Sequence, residues 1–286
     1  MTNWDRQYRL SAGPAGGTGF EIGETSPQQP TAMHINFSLS KNDSSTSNTG
    51  KVTVWNLSDA HIATLNEKDC CVQLKAGYGK TMGLIFSGLV SFVCTEKDGA
   101  DQKTTIEVTD STVGIRDTYV SVSYADKINA RPILDDIAAQ MGLVPSYSYD
   151  AQFSDIQNGF SFVGLARDGL DKVCHTSNLT WSLQNGVLQI KKTGSTMTQE
   201  VYLLSPETGL IGMPKKVQIS SSSSTDQQSV GWDVEFFLNP SINVDDYLRL
   251  ESRYVTGFFR VSTIQISGDN ISGDWVCSAR LLEVGG

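Results

Sequence analysis

Residues 69–74 read DCCVQL and residues 245–250 read DDYLRL, and both stretches begin with an aspartate and end in an alternation of apolar and polar side chains. The matching residues stand at one constant offset along the chain: Val72 with Leu248, Leu74 with Leu250, and Tyr78 with Tyr254. Alternation with a period of two indicates a β-strand with one buried face. A strand pattern that returns at a constant offset predicts that one β-rich unit occurs twice in this chain.

The order of the parts around these two stretches is repeated as well. Each stretch is followed by an apolar strand, a short turn and another strand pattern. The parts are 84–93, Asp98-Gly99 and 104–108 in the first copy, and 258–266, Gly268-Asp269 and 275–281 in the second. We predict that residues 33–108 and about 201–284 fold as two superposable β-barrels, and a different strand order in the two would contradict this.

The first copy also contains a predicted hairpin with a long polar tip. Residues 33–39 and 51–57 alternate, and the residues between them, 41–50, read KNDSSTSNTG. Polar and turn-forming residues between two alternating runs are typical of a β-hairpin loop. The loop has no apolar residues for a core, so we expect it to be exposed.

The middle of the chain changes its hydrophobic period. In residues 129–142, NARPILDDIAAQMG, the apolar residues fall at helical spacing, and Pro132 and Gly142 suit the start and the end of a helix. A second helix is predicted at about 165–175. Asn185-Gly186 then separates two alternating runs, which is a strong signal for a β-hairpin. The middle region is therefore predicted to be α+β.

These patterns predict a mainly β protein with a small α+β middle region. The predicted parts are an N-terminal arm (1–19), a first β-barrel (20–112), a middle domain with helices and a hairpin (113–198) and a second β-barrel (199–286). The arm is polar and ends in the glycine-rich run 13–19, GPAGGTG, which favours neither a helix nor a strand.

The net negative charge argues against a protein that binds nucleic acid through its phosphates. The net charge at pH 7 is −9 and the isoelectric point is about 4.8, whereas binding to phosphates needs a basic surface. An acidic wall would let nucleic acid slide past without binding, and ordinary solubility is the simpler interpretation of the same charge.

Cysteine usage points to a reducing compartment. The five cysteines (70, 71, 94, 174 and 277) are odd in number and have no CxxC spacing, so we interpret them as buried thiols. The first ten residues lack the apolar centre of a signal peptide, and no apolar run approaches the roughly 20 residues of a membrane span. We expect a protein without membrane insertion.

No set of residues has the spacing of a catalytic, cofactor-binding or metal site. The segment 77–81, GYGKT, lacks the first glycine of a phosphate-binding loop. His34, His61 and His175 lie in different predicted elements, and no GxSxG motif occurs. The carboxylate pairs Asp135-Asp136 and Asp245-Asp246 have no partner set for acid and base chemistry. We predict that the protein is not an enzyme.

Several short motifs recur in an order that resembles a known family. They are 4–10 (WDRQYRL), 54–58 (VWNLS), 75–78 (KAGY), 84–90 (LIFSGLV), 133–138 (ILDDIA), the 181–190 hairpin and 208–214 (TGLIGMP). Together they cover nearly the whole chain and resemble the baseplate hub family of contractile-tailed bacteriophages. This family has the fold of the T4 hub and is related to the base of type VI secretion spikes.

The resemblance implies a homotrimer in which each subunit contributes two tail-tube-like β-barrels to a pseudo-sixfold ring. One side of the ring would meet the tail tube protein and the other the trimeric spike protein, with further baseplate proteins around it. DNA would pass through the lumen without specific binding. The location would be the baseplate of the virion tail, assembled in the cytoplasm of the bacterial host. The chain shows no lysozyme-like domain or long spike helix, so spike and lytic functions would belong to other proteins.

The arm and the 41–50 loop are the candidate partner contacts, because neither suits a barrel core. We predict that both are mobile in the free subunit and ordered in the assembly; surface decoration is the alternative. Deleting residues 2–10 would then weaken assembly and leave thermal unfolding nearly unchanged. The candidate interface residues are Trp4, Tyr8 and Leu10 in the arm and Lys41, Asn42, Asp43 and Asn48 in the loop.

Two other function classes compete with this interpretation. A tail-associated polysaccharide-binding or hydrolysing β-protein would need exposed aromatic residues beside a carboxylate pair in a cleft. Of the five tryptophans, four lie in strand patterns, where core packing is the usual role. A secreted adhesin is disfavoured by the missing signal peptide and the unpaired cysteines.

Overall fold

The structure is a computed structural model that describes residues 5–14, 16–23, 32–79, 81–110, 118–219 and 229–284. The first half of the chain contains the strands β1 (Arg6–Pro14), β2 (Phe20–Gly23), β3 (Ile35–Asn42), β4 (Thr49–Trp55), β5 (Cys70–Tyr78), β6 (Thr81–Asp98), β7 (Asp101–Thr109), β8 (Tyr119–Tyr124) and β9 (Ile128–Asn129). The second half contains β10 (Pro145–Tyr147), β11 (Asp155–Ile156), β12 (Phe160–Leu165), β13 (Leu179–Gln184), β14 (Val187–Lys192), β15 (Val201–Leu204), β16 (Leu210–Ile219), β17 (Ser229–Phe237), β18 (Tyr247–Glu251), β19 (Thr256–Asp269) and β20 (Trp275–Glu283). The helices are α1 (Asp59–Leu65), α2 (Ala130–Gln140) and α3 (Ala166–Thr176).

One large sheet contains most of the strands. In the described part of the chain, thirteen strands are joined in the order β16-β17-β20-β19-β3-β4-β7-β6-β5-β1-β2, with β18 between β19 and β15. The mainly β class is confirmed. Closed barrels are not seen: the sheet described here is open, and the strands β2, β15, β16 and the far half of β6 have an edge without a partner in the described residues. Closure depends on what pairs with those edges, which an alternating pattern in one chain does not encode.

The predicted repeat is present in the strand order. The neighbours β3-β4-β7-β6-β5 correspond to β16-β17-β20-β19-β18, with the same hairpins in both halves. Two of the three residue pairs named by the constant offset fall in corresponding strands, with Val72 and Leu74 in β5 and Leu248 and Leu250 in β18. The third pair does not, because Tyr78 ends β5 whereas Tyr254 lies in the turn after β18. The prediction of one strand order therefore holds for these five strands, whereas β15, which pairs parallel with β18, has no counterpart in residues 33–108. The match of the two halves in detail stays a prediction. We call β3–β7 the first module and β16–β20 the second.

Two local irregularities are also shared by the modules. The β6–β7 pair has a bulge between Val90 and Phe92, and the β19–β20 pair has one between Val261 and Thr263. The aspartates that precede β5 and β18 both have left-handed backbone, with φ of 56° at Asp69 and 69° at Asp245. Bulges and left-handed residues are specific features of a fold, so their recurrence supports duplication beyond simple alternation.

The modules are joined directly through one pair of strands. Past its bulge, β19 pairs antiparallel with β3, from Thr263 opposite Asn42 to Asp269 opposite Asn36. Gly268 allows this close approach, because a side chain there would collide with the ring of Phe37. We call this pair the in-chain joint.

The N-terminal segment is a strand and not an irregular arm. β1 pairs antiparallel with β5 along its whole length, and Tyr8 and Leu10 are buried in the main core. The Tyr8 hydroxyl donates to the carbonyl of Met33 (2.8 Å) and accepts from its N–H (2.7 Å). The prediction of a mobile arm is therefore wrong for residues 6–14, where alternate positions are apolar and the glycine-rich run begins only at the strand's end.

The middle region has its own core between β8 and β14. The predicted helices are confirmed as α2 and α3, which bury Ile133, Leu134 and Ile137 and, on α3, Leu170 and Val173. The side chain of Asn129 accepts from the N–H of Arg131 at the start of α2. The Asn185-Gly186 hairpin is confirmed, and both residues have positive φ (53° and 84°), as a tight hairpin turn requires. The apolar cores of this region and of the sheet are separate.

The cysteines differ from the prediction at two positions. Cys70, Cys174 and Cys277 are buried, but Cys71 is half-buried and Cys94 is exposed. Cys94 lies in the far half of β6, where the strand has a neighbour on one side only. All five thiols are free.

Candidate assembly site

The polar loop after β3 lies at a junction of three parts of the chain. The side chain of Asn48 is buried, and its amide nitrogen donates to Asp110 (2.6 Å), to the Leu183 carbonyl (3.0 Å) and to Gln184 (3.1 Å). Gln184 in turn donates to the carbonyl of Asn42 at 2.7 Å. The loop therefore ties the first module to the β13–β14 hairpin of the middle region.

Four charged side chains form the other half of this junction. Lys191 of β14 pairs with Asp245, which is fully buried, and lies 3.8 Å from Asp43 of the loop. Arg260 of β19 bonds to Asp43 and to Asp245, the latter at 2.9 Å. The cluster contains two positive and two negative groups from the first module, the middle region and the second module. Opposite charges this close offset the cost of removing them from water.

Burial shifts the protonation of groups beside this cluster. It lowers the pKa of Lys41 to about 8, although Asp110 favours the charged form. It raises the pKa of Asp110 to about 6, against the hydrogen bonds from Asn48 that favour the carboxylate. The Lys41 ammonium also lies 3.4 Å from the Asn243 side-chain oxygen. The junction is therefore polar and titratable, whereas the two cores that flank it are apolar.

The structure places the predicted interface residues inside the chain. Trp4 lies outside the described residues. Tyr8 and Leu10 belong to the main core, Lys41 and Asn48 are buried at the junction, and Asn42 and Asp43 are half-buried there. Only the tip of the loop, residues 44–47, is exposed. That the set also contacts another chain stays a prediction, but the buried members already have partners within this one.

Lys191 and Arg260 were missed by the sequence analysis. Leu188 and Ile190 point to the middle core, so alternation assigns Lys191 to the opposite, solvent-facing side of β14. In the folded chain that side lies against the second module, and Lys191 is buried. No local pattern marks such a residue, because its burial depends on how distant segments dock.

Four strands of the large sheet have an edge without a partner in the described residues, and two of them, β2 and β15, each pair with a single strand. The far half of β6, residues 92–98, pairs with β7 on one side and with no strand on the other. β16 pairs only with β17. We call these the β6 edge and the β16 edge. Unpaired edges present rows of free N–H and C=O groups that can add another strand.

The exposed face of the continuous sheet carries many short polar side chains, and Phe92 and Phe237 are exposed on it as well. Its members include Ser38, Ser40, Thr49, Thr263, Gln265 and Ser278. The charges on this face stand in pairs: Lys51 lies opposite Glu107, and Arg280 binds Asp233 at 2.8 and 3.0 Å. The named residues make this face mostly polar.

Both carboxylates of the predicted pair on α2 accept hydrogen bonds from tyrosine hydroxyls. Asp135 accepts from the Tyr147 hydroxyl at 2.7 Å, and Asp136 accepts from Tyr124. A sugar-binding cleft needs exposed aromatic side chains, but Trp181 and Trp275 are buried in the cores. The described residues contain no group of three or more metal-ligating side chains, and none of their helices has the length and apolar character to cross a membrane.

Comparisons with known proteins find similarity in structure only. No protein-family model and no curated protein matches the sequence. The chain resembles the 43 kDa tail protein of prophage MuSo2 from Shewanella oneidensis, with a TM-score of 0.63, 10% identity, and coverage of 97% of this chain and 96% of that one. A tail protein from Neisseria meningitidis MC58 has a TM-score of 0.62 at 9% identity and covers 96% of each chain.

A secretion-system protein has the same fold. The E. coli c3393 protein, a type VI secretion component with structural similarity to the T4 tail proteins gp27 and gp5, has a TM-score of 0.60 at 7% identity. The match covers 88% of this chain and 74% of that one. The chain thus has the fold of phage tail and baseplate proteins, as its motifs predicted.

Proposed function

We propose that this chain is a structural hub subunit of a contractile-tail baseplate. Three copies form a ring that joins the sixfold tail tube to the threefold central spike and surrounds the ejection channel. The ring belongs to the virion tail and is assembled in the host cytoplasm. Its partners are the tube protein, the spike protein and other baseplate proteins.

The observation that carries the proposal is the duplication within one chain. Two modules share their strand order, a bulge at the same place and a left-handed aspartate before the same strand. Three such chains around an axis present six similar modules while keeping true threefold symmetry. An adaptor between a sixfold and a threefold structure needs this combination.

The exposed sheet face supports the channel part of the proposal. Short hydroxyl and amide side chains with paired charges give a wall that holds neither a polyanion nor a cation strongly. The net charge of −9 also disfavours retention of DNA. This face is the surface we assign to the lumen.

The alternative of a polysaccharide-binding or hydrolysing protein has less support. Its aromatic residues would have to line a cleft, but Trp181 and Trp275 are buried and Trp55 stacks on His34. The Asp135 and Asp136 carboxylates are engaged by tyrosines. A structural role without catalysis fits these contacts better.

Mass photometry of the purified chain, alone and mixed with the tube and spike proteins, tests the proposal. We expect a species of three times the 31.1 kDa chain mass and larger complexes with both partners. A chain that stays monomeric in every mixture would contradict the hub role. So would clearing of peptidoglycan or host polysaccharide that is lost on changing Asp135 and Asp136 to Asn.

A further inference from the structure

We infer that the trimeric spike protein docks on an exposed apolar face that β15 forms together with β18 and the start of β19. We call this face the apolar patch, and its members are Val201, Leu203, Tyr247, Arg249 and Phe258. The inference deepens the proposed function and rests on it for the partner and the number of copies. The patch itself is a feature of this chain alone.

The patch is one continuous surface because its residues lie side by side on three paired strands. Leu203 of β15 lies opposite Arg249 of β18, which lies opposite Phe258 of β19. Val201 and Tyr247 lie opposite each other in the next row. The residues between them on β18 are buried in the core, so the patch is the outer face of these strands.

The apolar side chains of the patch are open to solvent. Val201, Leu203 and Phe258 are 43, 44 and 49% exposed. The ring of Phe258 lies 5.5 Å from the ring of Tyr247, and the Arg249 guanidinium lies 5.7 Å from its centre. Exposed apolar clusters mark protein-binding surfaces, and aromatic residues and arginine are enriched where such surfaces bind most strongly. In the described residues β15 pairs with β18 only, so a partner can reach the patch from that side.

The corresponding place beside the first module is polar. There β1 takes the position next to β5 that β15 takes next to β18. The row of Leu203, Arg249 and Phe258 has its counterpart in a row across β1, β5 and β6 that consists of Ser11, Gln73 and Ser87. Among the described residues, the modules therefore occur twice in the chain, whereas the apolar row at this place occurs once.

The number of patches selects the partner by symmetry. In the proposed ring of three chains, a feature of both modules occurs six times, and a feature of one module occurs three times. A sixfold tube would have to meet three apolar and three polar surfaces with identical subunits. A threefold spike would meet three identical patches, so the patch suits the spike protein and not the tube.

The patch also lies away from the turn that the two modules share. Phe258 is near the first residue of β19, and the turn to β20 follows the last residue, Asp269. The corresponding turn of the first module joins β6 to β7 between Asp98 and Asp101. In the ring, the shared turns would occur six times toward one end and the patches three times toward the other. This division agrees with a tube on one side and a spike on the other.

The patch defines the chemistry that the spike protein has to present. Apolar side chains are needed to cover Val201, Leu203 and Phe258. Carboxylate or carbonyl oxygens are needed at Arg249, because its guanidinium has more donors than its contact with Glu251 (2.6 Å) uses.

A variant with the polar row of the first module in place of the patch tests the inference. It combines Leu203→Ser, Arg249→Gln and Phe258→Ser in the full-length chain. Binding to the purified spike protein and, separately, to the tube protein is measured by biolayer interferometry. We expect spike binding to weaken at least roughly tenfold, as the loss of a binding hot spot does, and tube binding to stay unchanged.

A matched control removes an exposed apolar side chain at the other end of β19. Ile271, in the turn after this strand, is 68% exposed, and Ile271→Ser should leave spike binding unchanged. Thermal unfolding of each variant is compared with wild type. If the triple variant does not fold, Leu203→Ser replaces it, and a loss of spike binding without a loss of tube binding is again the expected result.

The outcomes separate this inference from the proposed function. Loss of spike binding alone, in the triple variant and not in Ile271→Ser, supports the patch as the docking surface. Unchanged spike binding, loss of tube binding, or an equal loss in Ile271→Ser overturns the inference and leaves the hub role standing. A wild-type chain that binds neither protein overturns both.

Discussion

The junction charges show how residues far apart in sequence decide how the parts of this chain dock. Lys191, Asp245 and Arg260 come from three segments that have no common pattern, and Asp43 comes from a loop whose polar sequence suits solvent. Asp245 is fully buried, and its charge is compensated only because Lys191 and Arg260 approach it. Removing one partner leaves a buried charge, and this costs more than losing the contact itself.

Lys191→Met tests this at the level of one side chain. The variant keeps most of the side-chain volume and removes the ammonium beside Asp245, so we expect the free energy of unfolding to fall by about 3–5 kcal/mol. The control is Lys127→Met, which breaks the exposed Lys127–Asp155 pair (2.9 Å) and should cost at most about 1 kcal/mol. Chemical denaturation of both variants gives the comparison, and equal losses would show that the cluster is not stabilising.

Asp110 predicts a pH dependence of stability. Burial raises its pKa from 3.8 to about 6, so between these values the folded chain holds a proton that the unfolded chain releases. The free energy of unfolding therefore falls as the pH rises through this window, while the neighbouring Lys41 stays charged. Asp110→Asn should remove a fall of about 3 kcal/mol, from roughly 1.4 kcal/mol per pH unit.

The measurement is denaturation of wild type and Asp110→Asn at pH 4 and pH 6.5. The quantity to compare is the change in stability between the two pH values, since other carboxylates contribute equally to both proteins. An identical change in both would mean that Asp110 titrates normally in the fold.

At the level of single elements, local signals were sufficient for the helices and the tight hairpin. Capping by Asn129, the spacing of Ile133 and Ile137, and the Asn185-Gly186 turn all act within a few residues of one another. β1 was missed because its alternation is short and its full-length partner, β5, lies more than fifty residues away, while the nearby strand β2 covers only part of it. A glycine-rich run beside it suggested a linker, although the strand ends before most of those glycines.

Leu10→Ala tests whether β1 is part of the fold. Leu10 is fully buried opposite Leu74, so the substitution leaves a cavity and should cost about 2–5 kcal/mol. Leu203→Ala, the same change on an exposed strand leucine, should stay within about 0.5 kcal/mol. Thermal or chemical unfolding distinguishes the two, and a silent Leu10→Ala would restore the interpretation of this segment as a loose arm.

At the level of the whole molecule, the constant offset between residues 72 and 248 was sufficient to predict the duplication and its strand order. It did not predict the in-chain joint or the open edges. Alternation in the sequence shows which face of a strand is buried. It does not show which strand lies beside it, because strands pair through backbone N–H and C=O groups that nearly every residue has. The junction could not be predicted for a related reason. Lys191 on β14 is buried only because the second module packs against that face of the strand.

The in-chain joint also has a kinetic meaning. Because β19 and β3 belong to one polypeptide, they meet at the high effective concentration set by the chain between them, independently of how much protein the cell has made. Half of the joints in a six-module ring of three copies would form in this way during folding, as first-order events. Only the other half would depend on collisions between subunits. A single-module subunit would need more than twice as many collisions to close the same circle, so duplication shortens the concentration-dependent part of assembly.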